Sequence, residues 1–235
     1  MASSICVEEG RVCRCRIAIH RWRCVCGGDY ACFTRPEMKV ERVTYPVPTP
    51  SAARGMLEAI FWKPEFRWRI EEIRVLKPIR YFSVLRNEVN SRQSARSARD
   101  WERNGGGFDA SADRAQRHTL ALRDVAYVIR AQVDLQPGVD ENPAKYRDQF
   151  RRRVRAGQCF ATPYLGCREF AASFAEPDGT ERPEEDRTED LGLMLYDIEY
   201  TPPDGAGRNV PRFFHARLEH SILSVPSAPI VGSEV

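Results

Sequence analysis

The chain has 235 residues, of which 42% are hydrophobic and 29% are charged, as in an ordinary globular protein with one sizeable domain. No apolar run approaches the roughly eighteen residues that a membrane-spanning helix needs, and the first ten residues lack the apolar centre of a secretion signal. We therefore expect a cytoplasmic protein without a membrane partner.

The net charge of +3 is distributed unevenly along the chain. Residues 1–170 contain 31 lysines and arginines against 20 acidic residues, whereas residues 171–204 contain 2 against 11. Arginine supplies 32 of the 36 basic side chains, and its planar guanidinium group suits phosphate contacts and base stacking. A basic body favours a polyanionic partner, although a solvated surface and a GC-rich genome would give the same composition.

Six of the eight cysteines lie in the first 32 residues, and four of them form the C-x-C pairs Cys13/Cys15 and Cys24/Cys26, with His20 between the pairs. Zinc sites more often use C-x2-C spacing, whereas alternate residues of a β-strand share one face. The pattern therefore favours free thiols over a zinc site, and we predict no metal and no other cofactor.

The first predicted element is an extended segment over residues 11–33, with a turn signal at Gly27-Gly28-Asp29. A helix follows, with Thr49 as its N-cap and Pro50 at its first position, and its apolar stripe ends before Pro64. That stripe is interpreted as core packing.

Residues 67–89 predict a long strand that Pro78 interrupts. Residues 90–117, rich in Ser, Arg and Gly, predict a flexible loop whose arginines could follow a phosphate backbone. A second strand is predicted from Thr119 to Leu135.

A second helix is predicted from Asn142, as the N-cap, to Gly157, and a last strand from Phe160 to Phe174. The order β-α-β-β-α-β is typical of an α+β, ferredoxin-like (RRM-like) domain, whose sheet carries both helices on one face. The opposite face of such a sheet is free to meet single-stranded RNA, although many domains of this fold bind no RNA.

The acidic segment 176–190 is interpreted as a linker. Residues Leu191–Tyr200 and Val210–Ser224 predict a small C-terminal antiparallel sheet, which should pack on the main domain because a two-stranded ribbon is marginal alone. The predicted domains are therefore residues 1–175 and residues 191–235.

Several sequence runs, in order along the chain, resemble the Cas-five proteins of the type I-C (Dvulg) CRISPR system, of the RAMP superfamily. They are Phe33-Thr34-Arg35-Pro36-Glu37-Met38-Lys39-Val40-Glu41-Arg42-Val43-Thr44-Tyr45-Pro46-Val47, Thr49-Pro50-Ser51-Ala52-Ala53-Arg54-Gly55, Arg86-Asn87-Glu88-Val89, Gln116-Arg117-His118-Thr119, Asp124-Val125-Ala126-Tyr127 and Pro163-Tyr164-Leu165-Gly166-Cys167-Arg168-Glu169-Phe170. The resemblance implies an endoribonuclease that cuts the CRISPR precursor RNA at each repeat hairpin. It also implies that the protein stays on the 5′ handle of the mature crRNA, beside the backbone and large subunits of the Cascade complex.

The resemblance also implies the catalytic residues Tyr45, Arg117 and His118. Metal-independent cleavage uses the substrate's 2′-OH as nucleophile and leaves a 2′,3′-cyclic phosphate, so it needs a base, an acid and a cation. We assign His118 to proton transfer, Tyr45 to orienting or deprotonating the 2′-OH, and Arg117, where the family usually has lysine, to charge stabilisation. Without the resemblance, His118 would be read as a surface residue and Tyr45 as a packing residue.

Five further basic residues are predicted to contact RNA phosphates or neighbouring subunits: Arg35, Lys39, Arg42, Arg54 and Arg86. Solvated charge is an equally good interpretation of each one singly. Two other functions remain open: a subunit that holds the 5′ handle without cutting, and a general nucleic-acid-binding protein with duplex DNA as a partner. The first two dozen residues fall outside the resemblance.

Overall fold

The computed structural model describes residues 21–200, 209–229 and 231–232, so His20 and the pair Cys13/Cys15 lie outside the described residues. The strands are β1 (Arg21–Ala31), β2 (Arg42–Val43), β3 (Phe66–Val75), β4 (Tyr81–Val89), β5 (Arg114–Leu135), β6 (Ser173–Ala175), β7 (Glu189–Glu199), β8 (Val210–Glu219), β9 (Ile222–Ser224) and β10 (Val231–Gly232). The helices are α1 (Pro50–Ile60), α2 (Ala95–Asn104) and α3 (Pro143–Arg155).

The central part of the sheet has the strand order β6-β1-β5-β3, and every neighbouring pair in it is antiparallel. With α1 between β1 and β3, and α3 between β5 and β6, this is the order of a ferredoxin-like fold, so the predicted fold class is confirmed. Both helices bury their apolar stripes in one core with the sheet, where the rings of Trp68 and Phe150 meet edge to face.

Both predicted helix starts are confirmed. The Thr49 hydroxyl accepts a hydrogen bond from the Ala52 N–H at 3.2 Å, and the Asn142 side-chain oxygen accepts one from the Ala144 N–H at 2.9 Å. Each cap satisfies an N–H that has no partner within its helix, and a proline follows each cap at a position that needs no donor.

The turn predicted at Gly27-Gly28-Asp29 is wrong, because these residues continue β1. A Cβ on Gly27 would lie 2.7 Å from the Val125 carbonyl oxygen, and one on Gly28 would lie 2.9 Å from the Ala171 carbonyl oxygen. Glycine is therefore needed for close approach of neighbouring backbones and not for a reversal of the chain.

The predicted loop over residues 90–117 contains the exposed helix α2, which Ser94 caps, and its last four residues belong to β5. The strand predicted from Phe160 to Phe174 is reduced to the three residues of β6. Most of residues 160–172 form a loop that packs on the end of β1, where the Cys32 N–H donates to the Leu165 carbonyl at 2.9 Å. Local β-propensity is overridden there by this long-range contact.

The C-terminal strands join the central sheet through β9, which pairs with β3. Met194 and Phe214 are fully buried in the same core as α1 and α3. The division into residues 1–175 and 191–235 stays a prediction. Within the described ranges, no helix has the length and apolarity to cross a membrane.

Candidate nucleic-acid interface

Strand β4 and the first half of β5 form an antiparallel ribbon, defined here as residues Tyr81–Val89 and Arg114–Leu122. Leu85 is paired with His118 and Arg86 with Arg117. Since successive side chains of a strand point to opposite sides, Arg117 and His118 belong to different faces of the ribbon although they are adjacent in sequence.

The His118 face of the ribbon is open to solvent. It carries Tyr81, Leu85 and Val89 from β4, which are 46%, 50% and 44% exposed, and the exposed Gln116 and His118 from β5. An imidazole on this face is accessible to a bound molecule as a proton donor or acceptor. The apolar side chains beside it offer contact area to bases or to another protein.

The opposite side, called the arginine face, gathers three arginines around one carboxylate. Glu88 lies 3.0 Å from the guanidinium of Arg86, 3.5 Å from that of Arg117 and 3.6 Å from that of Arg42. Arg42 reaches this face because β2 pairs in parallel with β5, opposite Thr119. Tertiary structure therefore brings together three of the eight predicted site residues.

Glu169 supplies the second carboxylate of this cluster and contacts both Arg86 and Arg42, the latter at 3.3 Å. Burial alone would raise the pKa of Glu169, but a backbone hydrogen bond, the Arg86 hydrogen bond and both arginine charges lower that pKa below its usual range. The cluster thus holds three cations against two carboxylates and keeps an excess positive charge.

Tyr45 lies in the core and is 1% exposed. Its hydroxyl accepts a hydrogen bond from the Leu195 N–H at 3.3 Å, and the Arg35 guanidinium lies 4.5 Å from the centre of its ring. Burial raises the pKa of the Tyr45 phenol, so the hydroxyl stays protonated and is poorly suited to remove a proton.

Tyr45 is buried in the same core cluster as Leu122, which shares a face of β5 with His118 because side chains alternate along a strand. Leu122 is four residues from His118 along β5, or roughly 13 Å at the usual rise per residue. The structure does not bring the two side chains into contact.

The other predicted phosphate contacts differ in their availability. Lys39 is exposed in the loop before β2, and Arg35 is partly exposed over the Tyr45 ring. Arg54 makes a two-pronged ion pair with Asp197 in β7, at 2.5 and 2.9 Å. The charge of Arg54 is therefore balanced by Asp197 within the fold, which leaves less of it to attract an RNA phosphate.

Glu88 and Glu169 were not singled out from sequence, although both lie in the runs that carry the family resemblance. Alternation along β4 places Glu88 with Arg86, which sequence could have indicated. The contact of Glu169 with Arg86 joins residues 83 positions apart, so no local pattern predicts it.

Comparisons with known proteins agree with this architecture. A CRISPR pre-crRNA endoribonuclease Cas5d from Thermus thermophilus is 46% identical over 214 residues, 85% of this chain and 89% of the relative. A second one, from Mannheimia succiniciproducens, is 45% identical over 232 residues, 94% of this chain and 98% of the relative.

A crystal structure of a CRISPR-associated protein aligns with a TM-score of 0.63 at 21% identity, over 90% of this chain and 95% of that chain, which supports the fold alone. The sequence profile described as CRISPR-associated protein (Cas_Cas5) matches residues 26–226. The chain belongs to this family of Cas5 CRISPR-associated proteins.

Proposed function

We propose that this chain is a metal-independent endoribonuclease that cleaves CRISPR precursor RNA at the repeat hairpin. The observation that carries the proposal is the 45–46% identity, over most of both chains, to two relatives named CRISPR pre-crRNA endoribonuclease Cas5d. The exposed His118 is consistent with it, because RNA cleavage needs a proton-transfer group that the substrate can reach. The arginine cluster on the opposite face of the same ribbon offers contacts to phosphate.

In the proposed reaction the 2′-OH of the substrate attacks the adjacent phosphorus, and the bond to the 5′ oxygen breaks. The products are a 2′,3′-cyclic phosphate and a 5′-OH. His118 transfers a proton to or from one of these oxygens. A guanidinium group, for which Arg117 is the assigned candidate, stabilises the charge on the phosphorane. Because Arg117 and His118 lie on opposite faces of the ribbon, this role requires the RNA to pass around the edge of the ribbon.

Tyr45 orients the 2′-OH in this proposal and does not deprotonate it, because its raised pKa keeps the phenol protonated. A protonated phenol still donates a hydrogen bond to a ribose or phosphate oxygen. Because Tyr45 is 1% exposed, this role requires RNA binding to open access to the phenol, so it predicts a local rearrangement between β7 and the loop that precedes α1.

After cleavage, the protein is proposed to stay on the 5′ handle of the crRNA as a subunit of the type I-C Cascade complex. Arg42 and Arg86 of the arginine face, with Arg35 and Lys39, are the proposed phosphate contacts. Arg54 contributes less than the sequence suggests, because Asp197 already neutralises its charge.

The test is an incubation of the purified chain with repeat RNA in EDTA. We expect one cut, at the 3′ base of the hairpin. The 3′ end of the upstream product should resist ligation until its cyclic phosphate is removed, and the 5′ end of the downstream product should accept a phosphate from a kinase. A substrate with a 2′-deoxyribose at the cleaved nucleotide is the matched control and should bind without being cut.

The burial of Tyr45 favours a second candidate, a subunit that holds the 5′ handle without cutting it. Intact repeat RNA that is nevertheless bound tightly would support this candidate and reject the nuclease. A scrambled hairpin or duplex DNA that competes as well as the repeat would instead support general nucleic-acid binding.

A further inference from the structure

Cys32 and Cys167 form a small buried cluster with Ala121 beneath the arginine face, separate from the main core. Cys32 is fully buried and Cys167 is 9% exposed. The Cys167 sulfur lies 3.7 Å from the Cys32 carbonyl oxygen. A Cβ on Gly166, whose φ is +85°, would lie 2.1 Å from that oxygen, so only glycine lets this loop bring the two cysteines together.

The surroundings of the two thiols are unequal. The Arg42 guanidinium donates to the Cys167 sulfur at 3.5 Å. A hydrogen bond from Cys32 lowers the pKa of Cys167 to about 6, and the charge and hydrogen bond of Arg42 add to this effect, against burial and the charge of Glu169, which raise that pKa. The pKa of Cys32 is raised, first by its hydrogen bond to Cys167 and then by burial.

We propose that Cys167 is an oxidation-sensitive thiolate and that Cys32 is its resolving thiol, so that a peroxide converts the pair into a disulfide. This proposal does not depend on the proposed RNA cleavage. It rests on two sulfurs in one cluster, a guanidinium group on one of them, and a location at the edge of the protein interior.

The chemistry balances with hydrogen peroxide as the oxidant. The Cys167 thiolate attacks one peroxide oxygen, the O–O bond breaks, and the second oxygen leaves as hydroxide, which takes a proton to become water. The Cys32 sulfur then attacks the Cys167 sulfur, and the hydroxyl of the sulfenic acid leaves with the Cys32 proton as a second water. Two thiols lose two electrons, and one peroxide becomes two waters.

The second step becomes easier after the first. The hydrogen bond to the Cys167 thiolate is the main cause of the raised pKa of Cys32, and oxidation of Cys167 removes that thiolate. Cys32 then deprotonates more readily and becomes a better nucleophile.

The pair Cys24/Cys26 provides an internal comparison. Its sulfurs are 3.9 Å apart, but both residues are fully buried and lie two positions apart on one strand. The Cys24 sulfur contacts the carbonyls of Val25 and Ala175, and the Cys26 hydrogen bond and then burial raise its pKa. We expect this pair to stay reduced when Cys32 and Cys167 are oxidised.

The experiment treats the full chain with limiting hydrogen peroxide, alkylates the remaining thiols, digests without reduction and maps the peptides by mass spectrometry. We expect a peptide that links Cys32 to Cys167 and that dithiothreitol splits. The linked peptide should persist in Cys24→Ser and be absent in Cys32→Ser, where a 1,3-dione reagent should instead trap the sulfenic acid on Cys167.

A second readout does not require the disulfide. The rate of Cys167 alkylation should have a midpoint near pH 6, against about 8.5 for an ordinary thiol, and Arg42→Gln should shift this midpoint upward. Circular dichroism checks that each variant is folded. The absence of the linked peptide together with a Cys167 midpoint above pH 8 would overturn the proposal.

Discussion

The two faces of the β4–β5 ribbon differ in how their side chains are engaged. On the arginine face, Arg42, Arg86 and Arg117 share the carboxylates of Glu88 and Glu169, so their positions are fixed by charge. On the His118 face, the imidazole and its apolar neighbours are open to solvent. Strand alternation separates the adjacent residues Arg117 and His118 in this way, so proton transfer by His118 should be separable by mutation from phosphate binding by Arg42 and Arg86.

The largest effect is expected from His118→Ala, which should lower the cleavage rate by about a thousandfold, as expected for loss of a proton-transfer group. The affinity for repeat RNA should change less than about twofold, because one exposed histidine adds little to a many-phosphate interface. Gln116→Ala, on the same face, is the matched control and should cut normally. Equal loss of cutting and binding in His118→Ala would break the proposed separation of the faces.

The next largest effect is expected from Tyr45→Phe, which should slow cleavage by about tenfold or more, because phenylalanine cannot donate a hydrogen bond to the substrate. Stability should fall by only about 1 kcal/mol, since the ring stays packed and one buried hydrogen bond is lost. Single-turnover cleavage and urea unfolding measure the two effects. Unchanged cleavage with reduced stability would show that Tyr45 has only a structural role, and His118 would remain the residue assigned to catalysis.

Arg86→Ala tests the arginine face and should weaken repeat-RNA binding by about three- to tenfold. The slope of log affinity against log salt should become shallower by about one, because one phosphate contact is lost. Cleavage at saturating enzyme should stay near the wild-type rate. A steeper slope, or lost cleavage with normal binding, would contradict the division between the faces.

Arg54→Ala is the matched control for Arg86→Ala, and its expected effect is on stability. Removing one of the two arginine partners of Asp197, with Arg67 left in place, should lower the free energy of unfolding by about 1–2 kcal/mol and leave RNA affinity within about twofold. Urea unfolding and a filter-binding titration measure these quantities. A tenfold loss of RNA affinity would instead show that Arg54 contacts RNA, as the sequence predicts.

The difference in stability between the wild type and Arg54→Ala should also depend on pH. Burial acts to raise the pKa of Asp197, but the Arg54 hydrogen bond and charge outweigh it and lower that pKa. A depressed folded-state pKa stabilises the protein above the unfolded value of about 3.9 and ceases to do so as the pH falls through the folded value. The difference in the free energy of unfolding between the wild type and Arg54→Ala should therefore be largest at neutral pH and should disappear in acid.

The sequence by itself determined the elements that local chemistry controls. Thr49 with Pro50 and Asn142 with Pro143 fixed the starts of α1 and α3, because a capping oxygen followed by proline satisfies the first turn of a helix. The order of strands and helices then indicated the ferredoxin-like fold, and the long in-order runs indicated the family. The exposure of His118 agrees with its interpretation from sequence as a surface residue.

Only the tertiary structure decided which arginine charges are available to contact RNA. Arg54 and Arg86 are alike in sequence, yet Asp197, 143 residues away from Arg54, neutralises one of them, whereas Arg86 joins two other arginines. It likewise placed Gly27 and Gly28 inside a strand, buried Tyr45 against β7, and brought Cys167 next to Cys32 across 135 residues. Each of these outcomes depends on backbones and side chains that meet across the sheet, and a local pattern contains no information about such long-range contacts.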